Sequence, residues 1–365
     1  MKNFSIAGFI VLACFFIFIS CGGGGGGNEG SNVNGDIPNY LCFTASNGAC
    51  SIWLDLGQDV IFDPYHDYKP PILEYSYDGK KWNNGSNIYL EKTGDKAYLR
   101  GNNNTISFSD EWYSFRITGS CKVSGNIMSL LDKSLKLKTI PSDYCFKFLF
   151  SGCNITSAPE LPATILTNYC YWGMFNGCSN LVNPPALPAL TLAESCYYGM
   201  FTYCSNLISA PELPATVLVD FCYDSMFFGC TSLTDVPVLP SAFMARYCYA
   251  AMFSGCTSLT TTPELSAMNL AEGCYSNMFS SCTGLASSPV LPATELKDYC
   301  YEFMFIKCER LKSITVGFSD WNGATDSTRR WVENVDDSGT FKCPTGLANE
   351  TGVDKIPTGW TKLDL

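Results

Sequence analysis

The sequence predicts a fold of the α/β class: a solenoid of seven 26-residue helix-plus-short-strand units, preceded by a small all-β sandwich domain. Three observations lead to this fold class. A unit of nearly fixed length occurs seven times, the apolar pattern within each unit changes from helical to extended, and alternating apolar residues precede the repeats. A period of roughly 20–50 residues is typical of solenoids, in which a unit buries its apolar side only against its neighbours.

Each repeat begins at a cysteine, and a second cysteine follows eight residues later. Successive first cysteines are 25 residues apart once and 26 residues apart thereafter. The unit that starts at Cys196 reads CYYGMFTYCSNLISAPELPATVLVDF. The seven pairs are Cys145 and Cys153, Cys170 and Cys178, Cys196 and Cys204, Cys222 and Cys230, Cys248 and Cys256, Cys274 and Cys282, and Cys300 and Cys308.

The two halves of the unit predict different local structures. In the first half, apolar residues stand 0, 1, 4, 5 and 8 positions from the first cysteine. At about 100° per residue they cover an arc of roughly 140°, the buried stripe of an amphipathic α-helix. The second half, as at Leu207 to Ala215, is too rich in proline for a helix. It predicts a short extended segment that pairs with its neighbours in a narrow sheet.

Geometry argues against disulfide bonds within the repeats. Cysteines eight residues apart on a helix are separated by about 12 Å along its axis, whereas a disulfide tolerates a Cα separation of about 7 Å. Neighbouring helices pack at about 8–10 Å, which is also too far for most equivalent pairs. We therefore expect the fourteen repeat cysteines to be unpaired, buried core thiols that behave as small hydrophobic groups. Cys42 and Cys50 are the one pair for which a disulfide is plausible.

The N-terminus has the composition of an export signal followed by a tether. Residues 1–20 carry one lysine and a long apolar run, and Ser20 stands before Cys21. This arrangement resembles a bacterial lipoprotein signal, which implies that Cys21 is the lipidated residue and the membrane anchor. Ordinary secretion without a lipid on Cys21 is the alternative. Residues 21–36 are glycine-rich, lack packing residues, and predict a flexible tether.

Three further domains follow the tether. Residues 37–125 contain short alternating segments, and Asp78-Gly79 has the composition of a tight hairpin turn, so they predict the β-sandwich domain. Residues 126–311 hold the cysteine-rich repeats and an N-terminal cap. Residues 312–365 are predicted to cap the other end of the stack. This cap would include a short helix at 326–332 and the covering side chains of Trp321, Trp331 and Trp360.

The repeat motif resembles a known family. The pattern Cys-Tyr-x-x-Met-Phe-x-x-Cys-x-x-Leu occurs at Cys248, Met252, Phe253, Cys256 and Leu259. It is similar to the leucine-rich repeats of BspA-like bacterial surface proteins, although cysteine stands where that family has an aliphatic residue. The resemblance implies an α/β leucine-rich-repeat solenoid. It also implies a protein of the bacterial cell envelope, lipid-anchored at the outer-membrane surface, with a role in adhesion.

Composition and residue types disfavour several function classes. The formal net charge is −11, and charged residues make up 16% of the chain, so a basic nucleic-acid footprint and a polybasic lipid-binding face are not expected. The only histidine is His66 and no Cys-x-x-Cys occurs, so no metal site is predicted. No histidine lies near the repeat cysteines in the sequence to act as their base, so neither an enzyme nor a cofactor is predicted.

Binding is therefore the predicted function. Glu160, Glu212 and Glu264 recur in every second unit, as a ligand-contacting stripe or as a solvated acidic face. The first hypothesis is a lipid-anchored surface protein that presents an extended repeat face to a host or bacterial surface protein or glycan. Its specificity would lie at exposed, variable positions such as Glu212, Tyr203 and Asp224. The alternative is a carbohydrate-binding surface protein, whose candidate aromatic residues in the β-domain are Trp53, Tyr65, Tyr68, Trp82 and Trp112.

Overall fold

The computed structural model of the chain describes residues 37–56 and 70–365. The predicted signal peptide, the predicted tether and Cys21 lie outside the described residues. So do Tyr65, His66 and Tyr68 of the predicted β-domain.

In its described residues, the β-domain has eight short strands in two sheets. The strands are β1 Leu41–Ala45, β2 Cys50–Leu56, β3 Leu73–Ser76, β4 Asn83–Asn84, β5 Ile88–Leu90, β6 Lys96–Gly101, β7 Tyr113–Thr118 and β8 Cys121–Ser124. One sheet has the order β4-β3-β6-β1-β8, and the other has the order β5-β2-β7, with antiparallel pairing throughout both. Phe43 of β1 and Phe115 of β7 meet edge to face at 5.1 Å, so the apolar sides of the two sheets pack against each other.

The first repeat continues the core of the β-domain. Strand β9, Ile155–Ser157, pairs in parallel with β8 and extends the first sheet to six strands. The ring of Phe150 stacks on Phe115 at 5.2 Å. Between these two regions the chain forms a single 3₁₀ turn, Ile127–Leu130, whose start is capped by the side chain of Asn126. Residues Ile37–Leu365 accordingly form one compact unit.

The predicted helix-plus-short-strand solenoid is wrong, because the described repeats contain no α-helix. The first half of each unit is a run of overlapping four-residue turns, in which the N–H groups alternate between two kinds of partner. The N–H of Met174 bonds the carbonyl of Tyr171 at 3.1 Å, whereas the N–H of Phe175 bonds the carbonyl of Met200 in the next repeat at 2.9 Å. An α-helix would send every N–H to the fourth preceding residue of the same unit. Half of the donors in these turn runs instead join one repeat to the next.

A left-handed residue at every fourth position is the local reason why the helix does not form. In the second unit these residues are Tyr169, Gly173 and Gly177, with φ of 57°, 57° and 71°. The third unit has Ser195, Gly199 and Tyr203 at the same positions. A positive φ turns the backbone out of the right-handed helix, so the chain makes successive turns rather than a continuous coil.

The repeats stack in register, and equivalent aromatic rings of neighbouring repeats pack face to face. One buried ladder runs through the residue after each first cysteine, from Phe146 to Tyr301, and a second runs through the equivalents of Phe150 up to Phe305. In the middle of the second ladder, Phe227 is 5.7 Å from both Phe201 and Phe253, with interplanar angles of 3° and 8°. Each repeat therefore buries its apolar residues against equivalent residues of the next repeat.

Continuous strands form in the extended segments only at the two ends of the stack. Beyond β9, a parallel sheet has the order β10 Ser287–Leu291, β11 Ser313–Val316, β12 Thr340–Cys343 and β13 Thr361–Asp364. Neighbouring middle repeats meet in single bridge pairs, such as Ser209 with Asp235 and Phe243 with Asn269. Proline lacks the N–H that a strand ladder needs, and Pro211, Pro214 and Pro237 are among the residues that interrupt it.

The predicted short helix at 326–332 is also wrong, because this segment is a further run of the same turns. The N–H of Tyr301 bonds the carbonyl of Ser327 at 2.8 Å, and the N–H of Phe305 bonds that of Trp331 at 2.8 Å. Asp326 and Arg330 take the left-handed positions. Ser327 stands where the earlier units have their first cysteine, so the cysteine pattern does not reveal this eighth run. Its Trp331 is fully buried against Phe305.

Candidate functional site

The repeat cysteines line the interior of the turn runs. All fourteen are buried and unbonded. The second cysteine of a unit donates its S–H to the carbonyl of the phenylalanine in the preceding unit: Cys178 to Phe150 at 3.0 Å, and likewise Cys204, Cys230, Cys256, Cys282 and Cys308 at 3.0–3.2 Å. Burial raises the pKa of Cys230 to about 12. These thiols therefore act as packing groups and weak donors and not as nucleophiles, because reactivity requires the thiolate.

The proposed Cys42–Cys50 disulfide is not formed. Cys42, on β1, has its sulfur 4.0 Å from the hydroxyl of Thr44. Cys50, on β2 of the other sheet, is hydrogen-bonded to Cys121, and this bond lowers the pKa of Cys50. The short sequence separation of Cys42 and Cys50 does not bring them together, because the chain places them in different sheets.

Neither a metal centre nor a membrane-spanning helix is found in the part of the chain that the structure describes. No three or more His, Cys, Asp or Glu side chains in residues 37–56 and 70–365 are arranged to hold a metal ion. In the same residues, no helix has the length and apolar character needed to cross a bilayer.

The extended segments of the middle repeats form an open face. Backbone-to-backbone hydrogen bonds are absent from residues 183–189, 211–218, 236–241 and 260–267. Burial alternates along each segment: Pro211, Leu213 and Ala215 are buried, whereas Glu212 and Pro214 are exposed. The segments are thus anchored through every second side chain, while their backbone groups remain free for another partner.

Two adjoining grooves lie between neighbouring segments on this open face. One, of about 410 Å³, lies between residues 210–214 and 236–240. The other, of about 530 Å³, lies between residues 183–188 and 209–214. Pro211, Glu212 and Pro214 line both grooves. The grooves therefore present proline rings and one carboxylate next to free backbone groups.

A row of exposed apolar side chains borders the open face. Five consecutive repeats each contribute one large side chain, with between 49% and 75% of its surface exposed: Ile165, Leu190, Val217, Phe243 and Met268. We call these five residues the apolar row. In the turn runs of the seven cysteine repeats, by contrast, Tyr203 is the one exposed large hydrophobic residue. Ile165, Val217 and Phe243 stand at equivalent positions of their repeats, and Leu190 and Met268 stand one residue earlier in theirs. Exposed apolar side chains that recur along successive repeats commonly mark an interaction site.

The three predicted glutamates do not have equivalent environments. Glu160 accepts a hydrogen bond from Asn39 at 2.7 Å, so it ties the first repeat to the start of the β-domain. Glu212 is exposed and lines both grooves. Glu264 is exposed at the equivalent position two repeats further on. Of the three glutamates, Glu212 is therefore the one that lines the two grooves described above.

The three candidate aromatic residues of the β-domain that the structure describes, Trp53, Trp82 and Trp112, do not gather into one site. The guanidinium of Arg100 covers the ring of Trp82 at 3.7 Å, and Tyr40 contacts the same indole. Trp53 lies on β2 opposite Arg116. Trp112 instead contacts Phe148 of the first repeat at 5.4 Å.

Tyr203 and Asp224, two of the positions predicted to be exposed and to determine specificity, differ in exposure. Tyr203 is exposed on the turn runs and contacts Phe228. Asp224 is half-buried, and burial raises the pKa of its carboxyl group to about 7 although the hydroxyl of Ser225 donates to it at 2.6 Å. A buried carboxyl group that is hard to ionise is a poor solvated surface charge.

Comparisons with known proteins find no matching family model, no matching curated protein and no matching solved structure.

Proposed function

We propose that this chain is a surface-binding protein that holds an extended polypeptide on the open face of its middle repeats. The observation that carries the proposal is the apolar row beside segments whose backbone groups have no intramolecular partner. An added extended chain would satisfy those N–H and C=O groups and place alternate side chains in the grooves. The long, repetitive face suits a fibrous or surface-displayed partner better than a small molecule.

Charge indicates which polypeptides would bind. The chain carries a formal net charge of −11, and Glu212 lies in both grooves. A partner segment with apolar residues and at least one lysine or arginine is therefore favoured over an acidic one.

The place of action is the bacterial cell envelope, with Cys21 as the lipid anchor and adhesion as the role. This part rests on the signal-like N-terminus and on the resemblance to BspA-like surface proteins. Intact cells treated with protease would lose the protein if it is displayed outside. Its survival on intact cells, with loss only after lysis, would contradict surface display.

A binding assay with matched variants tests the open face. The chain without its predicted signal is applied to immobilised matrix proteins and to epithelial cell surfaces. The double variant Val217→Ser and Phe243→Ser should lose most of the retention, because it interrupts the apolar row. Ile72→Ser is the control, since Ile72 is 74% exposed and Phe243 75%, but Ile72 lies outside the repeats. No retention of the unmodified protein, or equal loss in both variants, would contradict the proposal.

A further inference from the structure

A second surface, distinct from the open face, carries a cluster of aromatic side chains where the β-domain meets the first repeats. We call it the aromatic patch, and its six members, each partly exposed, are Trp112, Tyr144, Phe148, Tyr169, Trp172 and Tyr198. Trp172 is its centre, with ring distances of 5.5 Å to Phe148, 5.7 Å to Tyr169 and 5.6 Å to Tyr198. The patch combines residues far apart in the sequence, so only the folded chain assembles it.

Stacking of the repeats does not require this patch. The positions equivalent to Trp172 in the fourth, fifth and sixth units hold Asp224, Ala250 and Ser276. Those units continue the same two buried ring ladders. Because a small or charged residue serves equally well there, large rings at this position in the second and third units need another explanation.

A buried cation lies beneath the rings of the patch. Lys147 is 4% exposed, and its ammonium group lies 4.5 Å from the ring of Trp172 and 4.9 Å from that of Trp112. It also donates to the carbonyl of Ser109 at 2.7 Å. Cation–π contacts and this bond hold the lysine beneath the rings, so its ammonium group is not exposed for direct contact with a ligand.

The rim of the patch is acidic and able to accept hydrogen bonds. Glu194 is exposed and accepts from the hydroxyl of Tyr169 at 2.9 Å. Asp224 follows Tyr198 at the equivalent position of the next repeat. Exposed Asp110 and Asp143 lie beside members of the patch in the sequence. Aromatic faces with carboxylates at their edge match a ligand that has both C–H faces and hydroxyl donors.

We propose that the aromatic patch binds a neutral glycan, with sugar rings packed on Trp172 and Tyr198 and their hydroxyl groups donating to Glu194 and Asp224. The apolar C–H face of a sugar ring packs on an aromatic face, and a few placed acceptors fix its orientation. Acidic glycans are disfavoured, since the exposed carboxyl groups at the rim are those of Glu194, Asp110 and Asp143. This site goes beyond the proposed polypeptide-binding function and uses a different surface.

Affinity electrophoresis and fluorescence titration of the chain without its predicted signal test the proposal. The probes are a neutral glucan, a mannan and a galactan, and one sulfated polysaccharide of similar size. We expect at least one neutral polymer to bind and the sulfated polymer to bind about tenfold more weakly or not at all. Failure of all three neutral polymers to bind the folded protein, or stronger binding of the sulfated one, would overturn the proposal.

Variants separate a binding role from a structural one. Trp172→Ala should weaken neutral-glycan binding about tenfold, and Trp172→Phe, which keeps a ring, should restore most of it. Tyr203→Ala is the control, because Tyr203 is an exposed ring on the turn runs outside the patch. Val217→Ser with Phe243→Ser should leave glycan binding unchanged, so loss of polypeptide binding and loss of glycan binding remain distinguishable. Equal weakening by Trp172→Ala and Tyr203→Ala would contradict the assignment.

Discussion

The turn runs and the extended segments of the same repeats satisfy their backbones in opposite ways. In the turn runs, each N–H bonds either within its own unit or to the next unit, as Met174 and Phe175 illustrate. In the middle extended segments, residues 211–218 and 236–241 make no backbone-to-backbone hydrogen bond. In the middle repeats, one side therefore holds the stack together, and the backbone of the other side is open. We therefore propose that stability resides in one half of the 26-residue unit and binding in the other.

High pH should destabilise the turn runs strongly. Burial raises the pKa of Cys230, Cys248 and Cys308 to about 12, above the value of 9.0 for an ordinary thiol. The unfolded chain therefore releases these protons first, so the stability contribution is complete below about pH 9 and is lost as pH rises towards 12. Urea midpoints measured from pH 7 to pH 11 should fall steeply above pH 9. Rapid alkylation of the thiols in the native protein at pH 8 would contradict their burial.

Replacing a ring of the buried ladder should lower the free energy of unfolding far more than replacing a side chain of the apolar row. Phe227 is fully buried between Phe201 and Phe253, so Phe227→Ala should lower the free energy of unfolding by about 3–5 kcal/mol. Val217→Ala on the exposed row should change it by less than about 0.5 kcal/mol. Denaturant unfolding of both variants measures the difference. Similar losses of unfolding free energy in the two variants would contradict the assignment of stability to the turn runs.

Two glycines with left-handed backbone allow the cost of disturbing ring packing to be separated from the cost of backbone strain. Gly273 and Gly152 have φ of 58° and 71°, but a Cβ on Gly273 would lie 2.2 Å from Cε1 of Tyr247, whereas a Cβ on Gly152 meets nothing within 4 Å. Gly152→Ala should cost about 1–2 kcal/mol from backbone strain alone. Gly273→Ala should cost about 1–3 kcal/mol more, because the ring has to move.

A double variant provides the control for this pair. Adding Tyr247→Ala to Gly273→Ala should cancel part of the additional cost, so the two substitutions would be non-additive in their free energies of unfolding. Additive losses would show that the ring of Tyr247 does not pack on Gly273.

Asp224→Asn should give a smaller effect whose size depends on pH. Burial raises the pKa of Asp224 to about 7 from an ordinary value of 3.8, so the unfolded state ionises more readily than the folded state. The folded state therefore loses stability between about pH 4 and pH 7, and the loss is complete above pH 7. Asparagine should stabilise the protein at pH 8 by about 1–3 kcal/mol and have almost no effect at pH 4. Equal effects of the substitution at both pH values would contradict the raised pKa.

The repeat period could be predicted from the sequence, but the backbone conformation could not be read from hydrophobic spacing. Turn runs with a left-handed residue at every fourth position bury positions 0, 1, 4, 5 and 8 of the unit, as an amphipathic helix would. The overlooked signal is the glycine, serine or asparagine at about half of those fourth positions, as at Gly173, Gly199 and Asn277, although tyrosine or phenylalanine stands at most of the others. Such residues are costly inside a helix and tolerated in turns.

Some features of the two candidate sites could likewise be predicted from the sequence, and others could not. Glu212 could be singled out from its recurrence, because an exposed position repeats with the unit. The partnership of Glu160 with Asn39 could not, since these residues are 121 positions apart. The aromatic patch was hidden for the same reason: Trp112 and Trp172 come together only when the first repeat joins the core of the β-domain. The S–H bonds to phenylalanine carbonyls likewise depend on the stacking register.

Amide hydrogen exchange tests the contrast between the two halves most directly. The account predicts strong protection of the amides in 171–178, 197–204 and 223–230, and near-unprotected exchange for the non-proline amides of 211–218 and 236–241. Binding of a polypeptide partner should slow exchange in the second group and leave the first unchanged. Equal protection of both groups in the free protein would mean that the extended segments already pair with one another, and it would contradict the open face.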